Sequence, residues 1–327
     1  MSETTPTPTM RAVVQHGAGP AEVLAVEEVP RPVPLPTEVL VRVHAAGVNP
    51  VDWKVRAGGG GVARLIDLSA FVPGWDVAGV VEEVGFGVTT LTPGDRVYGM
   101  PWFPRPAGAY AEYVTAPSRQ FARMPASADF ATAAAVPLAG LTAWQALVDT
   151  AHLQAGQRVV VTAAAGGVGH LAVQFAHHLG AHVIAVASGR HHDWLRALGA
   201  DETVDHTREP FEKVIRDADV VIDLLGDGVD LTSTRALATL RPGGLLVAVP
   251  GGISSALAAA AEATGRRVSA FLVEPDGPAL AAIAALIDAG AVRVEVAATL
   301  PLAEAAAAHR LGETNRTRGK IVLTVDA

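Results

Sequence analysis

The sequence predicts an α/β protein of two domains, a strand-rich one and a doubly wound parallel-sheet one, and three observations carry that reading. From Ala12 to about Met124, glycine or proline interrupts short valine-rich runs every few residues, the texture of a β-rich, loop-rich domain. From about Ala131 the texture changes to apolar β-branched runs at 158–163, 182–187, 219–224 and 244–249, separated by helical stretches as βαβ units require. Between the first two of those runs sits a glycine turn. A chain of 327 residues suffices for two such domains, each with its own core.

Taken in order, 38–43 (EVLVRV), 78–84 (AGVVEEV) and 95–98 (DRVY) read as strands of the first domain. The run 158–163 (RVVVTA) is the first strand of the second, 170–179 (HLAVQFAHHL) its helix and 182–187 (HVIAVA) its next strand. Alanine-rich stretches at 256–264 and about 278–289 carry helical apolar spacing, and 268–273 (VSAFLV) reads as a strand at a sheet edge. A helix at 302–312 and a strand at 320–325 (KIVLTV) close the chain. The expected partition is 1–125 for the first domain, 126–274 for the second, and about 275–327 returning to the first.

Composition narrows the function classes. Lys and Arg total 25 against 33 Asp and Glu, a net charge of −8 with no block of like charge, so a nucleic-acid footprint is not expected. The absence of cysteine excludes disulfides, thiolate nucleophiles, iron–sulfur clusters and cysteine-liganded zinc. Residues 1–9 are polar, without a basic segment leading into an apolar one, so a frayed terminus and a cytoplasmic protein are expected. The uncharged runs 130–148 and 242–261 contain proline and glycine where an α/β core is expected, so no membrane span is expected either.

The glycine turn carries the first chemistry. Ala164-Ala165-Gly166-Gly167-Val168-Gly169 follows a strand and opens a helix, with Ala164 where the dinucleotide fingerprint has its first glycine. Gly166 lets backbone approach a pyrophosphate, Gly169 lets the helix pack close to the strand, and the helix N-terminus offers N–H groups to phosphate. A tight turn in a protein binding something else is the plainer alternative. The second strand ends Ala187-Ser188-Gly189-Arg190, where a hydroxyl and a guanidinium stand in place of the carboxylate that would hold a ribose 2′-hydroxyl. Arg190 matches a 2′-phosphate, which points to NADPH, although a solvated turn residue is the alternative. His177-His178 and His191-His192 lack metal-ligand spacing and read as surface residues, with His191 near the 2′-phosphate as an option.

At this point the residues resemble the medium-chain dehydrogenase/reductase superfamily, and within it the zinc-independent quinone oxidoreductases similar to zeta-crystallin. The matching stretches are 46–58, 73–87, 93–99, 108–114, 136–144, 164–169 and 241–244, nearly the length of the chain. The resemblance implies a GroES-like catalytic domain joined to a Rossmann domain. Zinc-dependent relatives carry G-x-C-H-x-D and G-H-E motifs. Here Asn49 stands at the cysteine and Trp75 at the histidine, so no metal is expected.

Without a Lewis acid, ordinary alcohol oxidation is disfavoured, whereas a quinone or α,β-unsaturated carbonyl accepts hydride by conjugate addition. The resemblance implies that Asn49 and Asp52 lie beside the nicotinamide and that Thr142 hydrogen-bonds near it. Asn49 is also a candidate donor to a developing enolate oxygen; a turn residue, a helix cap and a buried helix hydroxyl are the respective alternatives. Trp53 and Tyr110 are candidate walls of the substrate pocket, and Trp102-Phe103 a lid or packed loop. The resemblance further implies backbone contacts to the nicotinamide amide from Pro250, Gly251, Phe271 and Val273, and that Arg318 and Lys320, in a loop with Asn315 and Arg316, reach the adenosine phosphates; a solubilising loop is the alternative there. The expectation is an NADPH-dependent reductase of quinones or enones, homodimeric. An enoyl reductase for a biosynthetic intermediate and a non-catalytic NADPH-binding protein are the alternatives.

Overall fold

The computed structural model describes residues 8–228 and 230–325. Of the amino-terminal segment expected to be frayed, residues 1–7 lie outside the described residues, and Thr9 already pairs with Pro30 across two strands. The strands in chain order are β1 (Thr9–Gln15), β2 (Leu24–Pro30), β3 (Glu38–Val48), β4 (Val77–Val84), β5 (Arg96–Gly99), β6 (Tyr113–Pro117) and β7 (Phe121–Arg123). They continue as β8 (Arg158–Val161), β9 (His182–Ala187), β10 (Glu202–Asp205), β11 (Ala218–Asp223), β12 (Leu240–Ala248), β13 (Arg267–Ala270), β14 (Val296–Pro301) and β15 (Lys320–Thr324).

The chain divides into two compact units. The first holds the residues up to Leu138 with Glu274–Asp288 and the chain from Val294 onward; the second holds Ala139–Val273 and Ala289–Arg293. Residues 126–138, which the sequence assigns to the parallel-sheet domain, therefore pack with the first unit. The helix Phe130–Ala134 among them is capped by Asp129, whose carboxylate accepts the Thr132 amide at 2.7 Å.

In the first unit a sheet of order β14-β15-β3-β4-β5-β7, with β6 also on β3, is antiparallel except for the β14–β15 pair. β3 is its spine. Val39, Val41 and Val43 of β3 join Val81, Val97, Val114, Phe121, Ile321 and Leu323 in one core, which is why valine recurs at every second position at the start of this strand. The return of β15 to β3 brings the end of the described chain beside the loop that follows Val48.

The second unit is a sheet of order β10-β9-β8-β11-β12-β13, parallel throughout. The order reverses between β8 and β11, the point where such folds bind ligands beyond the strand ends. Val159, Val160, Val161, Val183, Ile184, Ala185, Val221, Ile222, Leu246 and Val247 are all fully buried, as strands covered on both faces must be. At the reversal, Thr162 Oγ1 donates to Asp223 Oδ1 at 2.9 Å and the Gly226 amide donates to Oδ2 at 3.0 Å, tying the two strand ends together.

Four elements differ from the sequence reading. β13 stops at Ala270, so Phe271 and Val273 lie beyond the sheet. The last helix begins at Ala305, after a 3-10 turn over Leu302–Glu304. β10 and β14 escape sequence reading because neither presents an apolar run: both are only partly buried.

Candidate active site

The loop after β3 is built around the start of the helix Pro50–Arg56. Asn49 is its N-cap, Pro50 supplies the preset first turn, and Asp52 returns to the Asn49 amide at 2.7 Å, a reciprocal cap within four residues. The Asn49 side chain faces inward and is 1% exposed. Its Nδ2 donates to Asp76 Oδ2 at 2.8 Å, and its Oδ1 accepts from the ammonium of Lys320. Since an ammonium can only donate, this contact fixes which end of the carboxamide carries the oxygen.

Lys320 opens β15 and is itself buried. It also donates to the Val48 carbonyl at 3.1 Å and lies 3.3 Å from Asp76 Oδ2, while Asp76 Oδ1 accepts the Leu138 amide at 2.7 Å. Both ends of the Asp76 carboxylate are thereby satisfied, as a buried charge requires.

A second chain of bonds runs from Asp52. Its Oδ2 accepts the Tyr110 hydroxyl at 2.8 Å; the Tyr110 oxygen lies 3.3 Å from Nε2 of His309, and Nδ1 of His309 lies 3.2 Å from Arg56 Nη1. Arg56 in turn pairs with Glu313. Asp52 Oδ1 is buried without a partner among the described residues. Burial pushes the Asp52 carboxyl up to about 7, helped by the nearby Asp76 charge and opposed by the Asn49 amide, Tyr110 and Lys320. Burial, reinforced by Arg56, pushes His309 down to about 3. Lys320 faces Asp76 and Arg56 faces Glu313, so no cation touches Asp52, which is the member of the cluster that holds a proton below about pH 7.

These contacts correct several expectations. Tyr110 is fully buried with its ring against Gly74, where an added Cβ would fall 2.3 Å from Cδ1, so it is an internal strut and not a pocket wall. Trp53 lies over the helix Ala305–Glu313, its ring within 2.5 Å of where a Cβ on Gly312 would stand and 6.4 Å from His309. Lys320 is held within the Asn49–Asp76 cluster instead of in a solvated loop, and Arg318 pairs with Glu295, so neither side chain is free to take a phosphate. Trp102 and Phe103 form a packed loop: the Trp102 indole donates to Thr115 O at 2.7 Å and Phe103 stacks edge-on to Trp75. Asn49 and Asp52 do come together, and Asp76, which the sequence did not single out, joins Asn49. Thr142 is buried in the helix Pro137–Gln145, on the stretch that belongs to the second unit.

The donor set does not fit a catalytic metal. The Asn49 carboxamide is engaged at both ends, Trp75 donates its indole N–H to Arg105 O at 2.7 Å, and among the described residues no group of three His, Cys, Asp or Glu is placed to hold an ion.

The glycine turn does fit a dinucleotide. The left-handed position in it is Ala163, at φ 46°, and Ala164 is buried with its amide bonded to Val186 O at 3.0 Å, which is how alanine serves where the motif has glycine. A Cβ on Gly169 would stand 2.4 Å from Ala163 O and 2.7 Å from the Ala164 Cα, so only glycine lets the helix Gly169–His178 start this close to β8. Gly166, Gly167 and Val168 are part-exposed between them. Ser188 and Arg190 follow β9, with Arg190 exposed. Pro250 and Gly251 follow β12, Gly251 in a left-handed conformation at φ 80°. Beyond β13, Phe271 is half-buried and Val273 buried.

Asp76, Arg56, His309 and Glu313 were not singled out by sequence reasoning. The signal was faint: His309 lies on the alanine face of its helix.

Comparison with known proteins follows the same division. A family model for the alcohol dehydrogenase GroES-like domain matches residues 35–126, and one for zinc-binding dehydrogenases matches residues 198–323. The chain is 40% identical over 302 residues to the spectinabilin polyketide synthase system protein NorB of Streptomyces orinoci, covering 89% of this chain and spanning only 13% of that protein. It is 35% identical over 325 residues to the chloroplastic NADPH-dependent alkenal/one oxidoreductase of Arabidopsis thaliana, covering 96% of this chain and 79% of that one. To the 2-haloacrylate reductase of a Burkholderia species it is 34% identical over 344 residues, covering 97% and 99%. The solved quinone oxidoreductase of Coxiella burnetii superposes with a TM-score of 0.91 at 35% identity, covering 98% of this chain and 100% of that one.

Proposed function

Because the chain belongs to the medium-chain dehydrogenase/reductase superfamily, in its quinone oxidoreductase family, we propose that it uses NADPH to reduce conjugated carbonyl acceptors, enones and quinones, without a metal. The observation that carries this reading is the Asn49–Asp76–Lys320 cluster. A carboxamide held at both ends, by Asp76 and by the Lys320 ammonium, stands where zinc-dependent relatives carry a metal-binding cysteine. A simple carbonyl would lack its Lewis acid there, whereas a conjugated acceptor spreads the incoming charge onto its own oxygen.

Bound NADPH supplies the hydride. The protein's part is binding, orientation and exclusion of water, which together account for roughly 7–11 kcal/mol of a barrier when the reactants are well aligned. Gly167, Val168 and Gly169 offer backbone amides to the pyrophosphate, Gly166, whose own amide is bonded to Ala163 O at 2.9 Å, lets it approach, and Ser188 with Arg190 takes the 2′-phosphate. Asn49, locked from both ends, keeps the loop before Pro50 rigid beside the proposed nicotinamide position. The reading includes a homodimer in the cytoplasm, with β13, the outer strand of its sheet, as the edge that pairing would cover.

A second reading is an enoyl reductase acting on a biosynthetic intermediate, favoured by the 40% identity to a polyketide synthase system protein. Initial rates of NADPH consumption, with and without chelator, against alkenals, enones, benzoquinones, enoyl thioesters and simple aldehydes decide among these. Chelator-insensitive turnover of enones or quinones is expected. Turnover confined to enoyl thioesters would favour the second reading, and silence across the panel with tight NADPH binding would overturn both in favour of a binding role.

A further inference from the structure

The loops after β11 and β12 meet and are joined by one side-chain bond. A Cβ on Gly226 would stand 2.7 Å from Pro250 O, so the two loops are in backbone contact. Asp227 is the bridge between them. Its Oδ1 accepts the Thr234 amide at 2.9 Å and its Oδ2 the Thr234 hydroxyl at 2.8 Å, which anchors the carboxylate to the helix Thr232–Ala236. Oδ2 also accepts the Ser254 hydroxyl at 2.5 Å. Ser254 is the N-cap of the helix Ser255–Thr264, its Oγ accepting the Leu257 amide at 3.0 Å.

Between its two ends the loop from Val249 to Ser254 has little else to hold it. The Val249 amide donates to Asp223 O at 3.1 Å, but Gly251 and Gly252 are both left-handed, at φ 80° and 68°, with nothing within 4 Å of a Cβ added to either. The amides of Gly251, Gly252 and Ile253 have no partner among the described residues. Two consecutive glycines without packing visit many backbone conformations at little cost, so the shape of this loop is set by where its ends are fixed.

Resting on the NADPH reading above, we propose that Asp227 is a positioning residue: through Ser254 it holds the loop after β12 in the shape that receives the nicotinamide half of the cofactor. The sheet order gives the direction. With the pyrophosphate at the turn after β8 and the adenosine 2′-phosphate at Ser188 and Arg190 after β9, the other half of the dinucleotide runs over β11 and β12, on the opposite side of β8. The bond from Ser254 to Asp227 ties together the two loops on that side and makes no contact with the turn after β8 or the end of β9. A loop ordered before its ligand arrives spares binding the cost of ordering it, and that is what the clasp contributes.

The test is the dissociation constant, by calorimetry, of NADPH and of adenosine 2′,5′-bisphosphate, which carries the 2′-phosphate and no nicotinamide, for the wild type, Asp227→Ala, Ser254→Ala and Ser254→Thr. In both alanine variants NADPH should weaken roughly tenfold, the cost of ordering about one residue's backbone on binding, while the bisphosphate constant stays within about twofold of the wild type. The double alanine variant should bind NADPH no more weakly than the weaker single one, because both remove the same bond; additive losses would contradict it. Ser254→Thr, which keeps the hydroxyl and the cap, should bind NADPH as the wild type does. Wild-type NADPH affinity in both alanine variants would overturn the assignment, and so would an equal loss for the two ligands, which marks general damage to the unit. A wild type that binds neither ligand would instead sink the NADPH reading, and this inference with it. Should Asp227→Ala fail to fold, Ser254→Ala breaks the same bond from the other side.

Discussion

Arg56 Nη1 stands 3.2 Å from Nδ1 of His309, and that contact sets the direction of every bond in the buried chain behind the Asn49 loop. A guanidinium only donates, so Nδ1 accepts and the ring proton sits on Nε2, facing the Tyr110 oxygen at 3.3 Å. The Tyr110 hydroxyl is then left to donate to Asp52 Oδ2 at 2.8 Å. One fixed cation thus orders three neutral or titrating groups.

Two of those groups give stability opposite dependences on pH. Asp52, raised from 3.8 to about 7, binds its proton more tightly in the folded state, so its contribution is complete below about pH 4 and is lost as pH rises through 7. His309, lowered from 6.5 to about 3, contributes above its unfolded value, and that contribution is lost as pH falls toward 3. Over the shared range the two slopes oppose each other. Asp52→Asn should leave a protein whose stability rises from about pH 4 to 6.5, and His309→Gln one whose stability falls from about pH 4 to 7, each by up to about 1.4 kcal/mol per pH unit. Urea unfolding at several pH values measures both, and identical profiles for the two variants would contradict the assignment.

Lys320→Met should be strongly destabilising. It leaves the Asp76 carboxylate buried with only the Asn49 and Leu138 N–H donors, and removing one partner of a buried ion pair costs roughly 3–5 kcal/mol. The double variant Lys320→Met/Asp76→Asn should recover part of that loss, because no uncompensated charge remains. Denaturant midpoints for the three proteins decide it; a single variant as stable as wild type would show that the pair is not closed in solution.

Arg190→Ala should weaken NADPH by roughly 10- to 100-fold and leave NADH nearly unchanged, the expected worth of charge-assisted hydrogen bonds to a phosphate. Fluorescence titration with both cofactors is sufficient. An unchanged ratio would return Arg190 to the role of a solvated turn residue.

The fold and half of the site were legible in the sequence for identifiable reasons. The buried strands β8, β9, β11 and β12 announce themselves because both faces are covered, which forces unbroken apolar runs, and the turn at Gly166–Gly169 because backbone proximity permits no other side chain at Gly169. The reciprocal cap of Asn49 and Asp52 is local, spanning one helical turn, and its spacing is visible. Nothing local marks the strands β10 and β14, whose partial burial leaves no pattern.

What the tertiary structure alone decided is the company those residues keep. Lys320 lies 271 residues from Asn49 and His309 lies 253 from Arg56, and only the return of β15 to β3 and the seating of the helix Ala305–Glu313 bring them within bonding distance. A sequence records that a residue is able to donate, accept or carry charge. Whether Tyr110 lines a pocket or braces Asp52, and whether Lys320 meets a phosphate or a buried carboxylate, depends on desolvation and partner geometry, which arise only when distant segments pack.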